Sequence, residues 1–122
     1  MTAPIRVLLA DDDPLVLSGL KIMLAAAKQI HVVGEAHDGR EVLPAADMHH
    51  PDIVLMDIRM PRLDGIAATA ALRAVHPEAR VLVVSEHDQE DIRQAAGRAG
   101  AAGHVRKDDL TELRRWLEGG GA

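Results

Sequence analysis

The stretch Pro51-Asp52-Ile53-Val54-Leu55-Met56-Asp57-Ile58-Arg59-Met60-Pro61-Arg62-Leu63-Asp64-Gly65 decides how this chain folds. Its unbroken apolar run, Ile53 to Met56, reads as a central strand covered on both faces. Asp57 follows directly, and a carboxylate at the end of a buried strand is costly unless something uses it. A second acidic cluster, Asp11-Asp12-Asp13, follows the apolar run Val7-Leu8-Leu9-Ala10 in the same way. If the two strands lie side by side, three or four carboxylates converge at one sheet edge. That convergence predicts a divalent cation, and with it phosphate chemistry on Asp57.

Working outward, short apolar runs alternate with helix-like segments. Strands are predicted at Ile5–Ala10, His31–Glu35, Ile53–Met56, Arg80–Val84 and Gly103–Arg106. Helices are predicted at Pro14–Ala27, Arg40–Met48, Gly65–Val75, Gln89–Ala99 and Leu110–Leu117, with Pro44 delaying or kinking the second. Five strands alternating with helices imply an α/β fold with a parallel sheet covered on both faces. The first, third and fourth strands are continuously apolar and the other two are poorer, which suits the flavodoxin-like order 2-1-3-4-5. In that order, ligands bind at the carboxyl ends of the first and third strands, where the aspartates fall.

The 122 residues suit one domain, with residues 1–118 as its body and 119–122 as a flexible glycine-rich tail. Trp116 is the only aromatic residue of the Phe, Trp and Tyr set, which argues against a base-stacking platform for single-stranded nucleic acid. A net charge of -5 disfavours direct binding along a nucleic-acid backbone. The chain has no cysteine, so disulfides and thiol chemistry are excluded. No segment approaches the apolar length of a membrane span, and the N-terminus lacks a signal-peptide pattern, so a cytoplasmic location is expected.

Asp11 and Asp12 offer hard oxygen ligands suited to Mg²⁺. Asp13, immediately before Pro14, is better placed to cap the first helix. Asp57 is a candidate nucleophile, since a carboxylate can attack phosphorus to give an acyl phosphate; taken alone it reads equally as a cap or a metal ligand. Ser85, at the end of the fourth strand, could bond a phosphoryl oxygen. Lys107, at the end of the fifth, could pair with Asp57 or the phosphate. The four strand ends together carry the argument. The seven histidines show no transition-metal spacing.

With these residues in place, the chain resembles the receiver domain of two-component response regulators over nearly its whole length. It is most similar to the NarL/FixJ-type subgroup, through Asp11-Asp12-x-Pro14, Asp57-Ile58-Arg59-Met60-Pro61 and Lys107-Asp108. The resemblance implies phosphorylation of Asp57 by a sensor histidine kinase. It implies Mg²⁺ ligated by Asp12 and Asp57, with Asp11 acting mainly through a bound water and Arg59 supplying a backbone carbonyl. Ser85 would be the switch hydroxyl and Lys107 the phosphate-pairing cation. His104 stands at the switch position where Tyr or Phe is usual, and Glu86 where a small residue is usual. Arg59 and His87 would border the hydrolytic water, and the long Glu86 carboxylate beside the phosphoryl site would repel the phosphoryl group or narrow access to it.

The fourth helix has Ile92 as its only large apolar residue, so it is suited to move, and the face formed by helix 4, strand 5 and helix 5 is expected to carry the output. The chain would act as a switch that modifies itself, not as an enzyme. It would control a C-terminal DNA-binding output domain that this sequence lacks, with homodimer formation open. The competing reading is a receiver-like interaction module independent of phosphorylation.

Overall fold

The computed structural model describes residues 3–86 and 89–119, with the side chain of Leu110 left aside. Strand β3 (Ile53–Met56) is the centre of a parallel five-stranded sheet ordered β2-β1-β3-β4-β5. Its neighbours are β1 (Ile5–Ala10) and β4 (Arg80–Ser85), and the edges are β2 (Ile30–Ala36) and β5 (Gly103–Arg106). The strands with unbroken apolar runs are the inner ones, because a strand flanked on both sides and covered on both faces meets no water.

Side chains alternate between the faces of each strand, so each inner strand feeds two cores. On one face α1 (Pro14–Ala25) and α5 (Leu110–Glu118) lay Leu17, Leu20, Leu24, Leu113 and Leu117 against Val7, Leu9, Leu55 and Leu82. On the other face α2 (Gly39–His49), α3 (Gly65–Val75) and α4 (Glu90–Ala99) cover Leu8, Val54, Met56 and Val83. Leu72 of α3 is fully buried, and such a side chain stabilises by about 1.5–3 kcal/mol. α4 buries only Ala96. It is the helix held by the least apolar contact, as its alanine-rich sequence suggests.

Most element ends fall within one or two residues of the sequence expectation, and the differences in α1, β2 and α2 are the informative ones. α1 stops at Ala25, and β2 is longer than expected and carries an extra residue, Val33, where the pairing steps from Val7–Val32 to Leu8–Gly34. Such a bulge bends and twists an edge strand. α2 is not delayed by Pro44. It begins at Gly39 because the Asp38 carboxylate accepts the N–H groups of Arg40 and Glu41 at 2.8 and 3.1 Å. Pro44 sits inside the helix on its exposed side, while Val42 and Ala46 hold the buried side. The cost is one lost bond, to the Arg40 carbonyl.

The loop between β3 and α3 is stitched to the start of α2. The Gly39 N–H donates to the Pro61 carbonyl at 3.4 Å, and Arg62 approaches Asp38 at 3.5 Å. Arg62 holds φ at 72°, in the left-handed region. A non-glycine residue there costs about 1–2 kcal/mol, and the 3.5 Å ion pair, exposed on the arginine side, offsets little of it. Arg62→Gly is therefore expected to raise stability by roughly 0.5 kcal/mol once glycine's freer unfolded chain is counted. Urea unfolding midpoints check this.

Candidate functional site

The sheet ladder runs one residue past several strand ends and so fixes where the polar residues begin. The Asp57 N–H donates to the Ala10 carbonyl at 2.9 Å, Asp11 N–H to Ala36 at 3.0 Å, and Lys107 N–H to Ser85 at 2.9 Å. These bonds place Asp11, Asp57, Ser85 and Lys107 at the carboxyl edge of four adjacent strands. Asp11, Asp57 and Ser85 are buried there, at 3%, 6% and 2% exposure, while Asp12 is exposed. With Asp13, Arg59, Glu86 and Lys107 they line a cleft of about 260 Å³. A larger hollow of about 460 Å³ lies along β2. Glu35 is the one acid among its lining residues, paired with Lys21 at 2.5 Å and with His37 at 3.1 Å, so no acids converge in it.

Lys107 Nζ lies 2.9 Å from Asp11 Oδ2 and 3.2 Å from Asp57 Oδ1, so one ammonium bridges two buried carboxylates. Burial pushes the Asp57 carboxyl above its ordinary range and the Asp11 charge adds to this. Lys107 and a hydrogen bond from the Arg59 backbone oppose the rise without cancelling it. For Lys107, burial acts to lower the ammonium, but its bond to Asp11 and the charges of Asp57 and Asp11 raise it overall. Asp57 thus costs stability as a carboxylate, and the cost appears as pH rises from its unfolded to its folded value. Asp57→Asn removes a desolvated charge that faces another, so the metal-free protein should gain about 1 kcal/mol near neutral pH. Comparing thermal unfolding of the two proteins in a chelator checks this.

Asp11, Asp12 and Asp57 each offer an oxygen, all within 4.8 Å of one another. Three carboxylate oxygens, with Asp12 open to solvent, fit a hard cation that keeps several waters, which is the chemistry of Mg²⁺. Asp13 is the helix cap expected: its Oδ1 accepts the Leu15 N–H at 2.9 Å, and its own N–H donates to Asp11 Oδ1 at 2.9 Å. That second bond orients Asp11.

Every expected site residue among the described ones except His104 therefore lines one cleft. His104 pairs with Val83 on β5, half-buried, and is absent from the cleft lining. His87 lies outside the described residues. Sequence reasoning gave Lys107 a partner in Asp57 and missed Asp11, which is the nearer of the two. The sequence signal was Asp11's place as the first residue past an apolar strand, level with Asp57.

The model for the response regulator receiver domain matches residues 7–118. The chain is 39% identical over 108 residues to the uncharacterized transcriptional regulatory protein YxjL of Bacillus subtilis, covering 88% of this chain and 50% of that protein. The chain spans about half the length of the curated relatives it matches. Among solved structures it is similar to the signal receiver domain of the response regulator NarL from Mycobacterium tuberculosis, with a TM-score of 0.83, 40% identity, and 88% and 86% of the two chains covered. It is also similar to a LuxR-family two-component response regulator from Aurantimonas, with a TM-score of 0.91, 34% identity, and 96% and 84% covered. This chain belongs to the response regulator receiver domain family, with its relatives among the NarL/LuxR-type regulators.

Proposed function

We propose that this domain is a phosphoryl-accepting switch in which an Asp57 carboxylate oxygen attacks the phosphorus of a phosphohistidine on a sensor histidine kinase. An O–P bond forms, the P–N bond breaks, and the imidazole leaves with the electron pair. Asp11, Asp12 and Asp57, with the Arg59 carbonyl, would hold Mg²⁺, which supplies charge neutralisation to the incoming phosphoryl group when bound. Lys107 is then free to turn from its two carboxylates to a phosphoryl oxygen, and Ser85 donates its hydroxyl to another. The observation that carries this reading is the single ammonium shared by Asp11 and Asp57 inside a cluster of three carboxylates.

Glu86 lines the same cleft, and with Arg59 and His87 it is proposed to tune hydrolysis of the phosphoryl group. Ser85 and His104 would carry the change to α4, β5 and α5, biasing a pre-existing equilibrium. The sparse burial of α4 supports that choice of face. The outcome would be control of a DNA-binding domain following residues 119–122, in the cytoplasm and with dimer formation as one route. The domain acts on itself and turns over no other substrate.

Radiolabelled phosphoryl transfer from a sensor kinase tests the metal's part. Incorporation should fall to background in EDTA and in Asp12→Asn, and return on adding Mg²⁺ only for the wild type. Transfer that is equal in EDTA overturns the metal's role. Amide exchange with and without a phosphoryl mimic tests the output face. Protection should change across residues 89–106, and an unchanged pattern there rejects the face.

A further inference from the structure

At the edge of the sheet opposite Asp57, the chain enters β3 and β4 from α2 and α3. His76 is the C-cap of α3, and its N–H donates to the Leu72 carbonyl at 2.7 Å. Its ring faces two carboxylates at once. Nε2 lies 2.6 Å from Asp47 Oδ1, on the last turn of α2, and Nδ1 lies 3.0 Å from Glu78 Oε1, in the loop leading to β4. The imidazole is largely covered, at 13% exposure, while both carboxylates reach solvent.

Ionised carboxylates only accept hydrogen bonds, and a neutral imidazole has one N–H to give. Both bonds therefore require the imidazolium. Loss of the proton leaves one ring nitrogen lone pair against a carboxylate oxygen, so one side of the arrangement must open. We propose that His76, held between Asp47 and Glu78, is a proton-operated clamp that ties the end of α2 to the α3–β4 loop.

The other charged groups nearby fit this role. Arg73, on α3, bonds the carbonyls of Pro77 and Ala79 and so pins the same loop independently of the proton. Asp52, before β3, takes the Arg6 N–H at 2.8 Å. His50 meets His76 edge-on, with ring centroids 6.5 Å apart and planes at 74°. Among the described residues, the one cluster with metal-ligand spacing is at Asp11, Asp12 and Asp57, so this is not a second metal site. The hydrogen bonds to Asp47 and Glu78 hold the His76 imidazolium above its ordinary range, against the effect of burial. The α3 C-terminus adds in the same direction. A raised folded value means that the clamp's stabilisation is complete below the ordinary imidazole range and is lost as pH rises through the folded value.

The test is an NMR titration of the His76 ring, assigned with His76→Gln, in the wild type and in Asp47→Asn and Glu78→Gln. Both acceptors are exposed, so neither substitution endangers folding. The wild-type ring should titrate above an ordinary histidine, and lower in each variant. Thermal unfolding should separate wild type from both variants at about pH 5.5 and bring them together at about pH 9. A wild-type ring that titrates at or below the ordinary value, or a value unmoved by either substitution, overturns the clamp. So does a stability gap that is the same at both pH values.

Discussion

Lys107→Met is expected to cost about 2–3 kcal/mol of stability near neutral pH without Mg²⁺, because it leaves two carboxylates facing each other in a covered site. The figure stands below that for a fully buried pair, since the Lys107 side chain keeps 15% exposure. Methionine fills the lysine stem's volume, so the loss is one of charge and not of packing. The sign with pH follows from the partners. Protonating Asp57, whose carboxyl burial already pushes up, relieves the repulsion, so the gap from the wild type should narrow as pH falls into the carboxylate range. Mg²⁺ should also narrow it, because it stabilises the folded variant more than the folded wild type; at roughly ten times Kd, binding to the folded state alone is worth about 1.4 kcal/mol. The variant should bind Mg²⁺ more tightly than the wild type, as no ammonium competes for the same oxygens. Thermal unfolding across a Mg²⁺ titration at two pH values reads all three effects.

The second large effect lies in the backbone beneath the site. A Cβ on Gly65 would stand 1.9 Å from the Asp57 carbonyl oxygen and 2.8 Å from the Asp57 carbonyl carbon and the Ile58 Cα. All three are backbone atoms, and the Gly65 N–H already bonds the Ile58 carbonyl at 2.8 Å, so nothing can step aside cheaply. Gly65→Ala should therefore cost about 3 kcal/mol, despite alanine's advantage of up to about 1 kcal/mol as a helix former. It must also displace the residue proposed to be phosphorylated, so phosphoryl transfer should fall with stability. Gly97→Ala is the matched control. A Cβ there meets nothing within 4 Å, so alanine in this last turn of α4 should stabilise by up to about 1 kcal/mol. Denaturant unfolding of the two variants side by side gives opposite signs.

The inner strands and the site's membership were legible from one pattern, an apolar run that stops at a polar residue, while the order 2-1-3-4-5 came from the flavodoxin-like fold that this pattern suits. Asp11, Asp57 and Ser85 are each found where such a run ends, Lys107 ends the mixed strand Gly103-His104-Val105-Arg106, and a parallel sheet puts all such ends on one edge. What the sequence hides is what depends on contacts between distant segments. Gly65 reads as an ordinary helix start and Gly39 as the residue before one, although each is fixed by a backbone carbonyl of another segment, Asp57 and Leu63 respectively. The left-handed Arg62 has no local signature, because arginine is not a residue that favours that region. Pro44 reads as a breaker because propensity is local, while the Asp38 cap and the burial of Val42 and Ala46 are not. The His76 clamp joins residues 29 apart in sequence, Asp47 and His76, and histidine spacing alone gave no hint of it.

Intact-mass measurement after incubation with Mg²⁺ and acetyl phosphate tests the central claim most directly. The wild type should gain one phosphate-sized increment, and Asp57→Asn, folded to the same degree, should gain none. An equal gain in Asp57→Asn, or no gain in folded wild type with Mg²⁺ and phosphodonor in excess, contradicts the assignment of Asp57 as the phosphoryl acceptor.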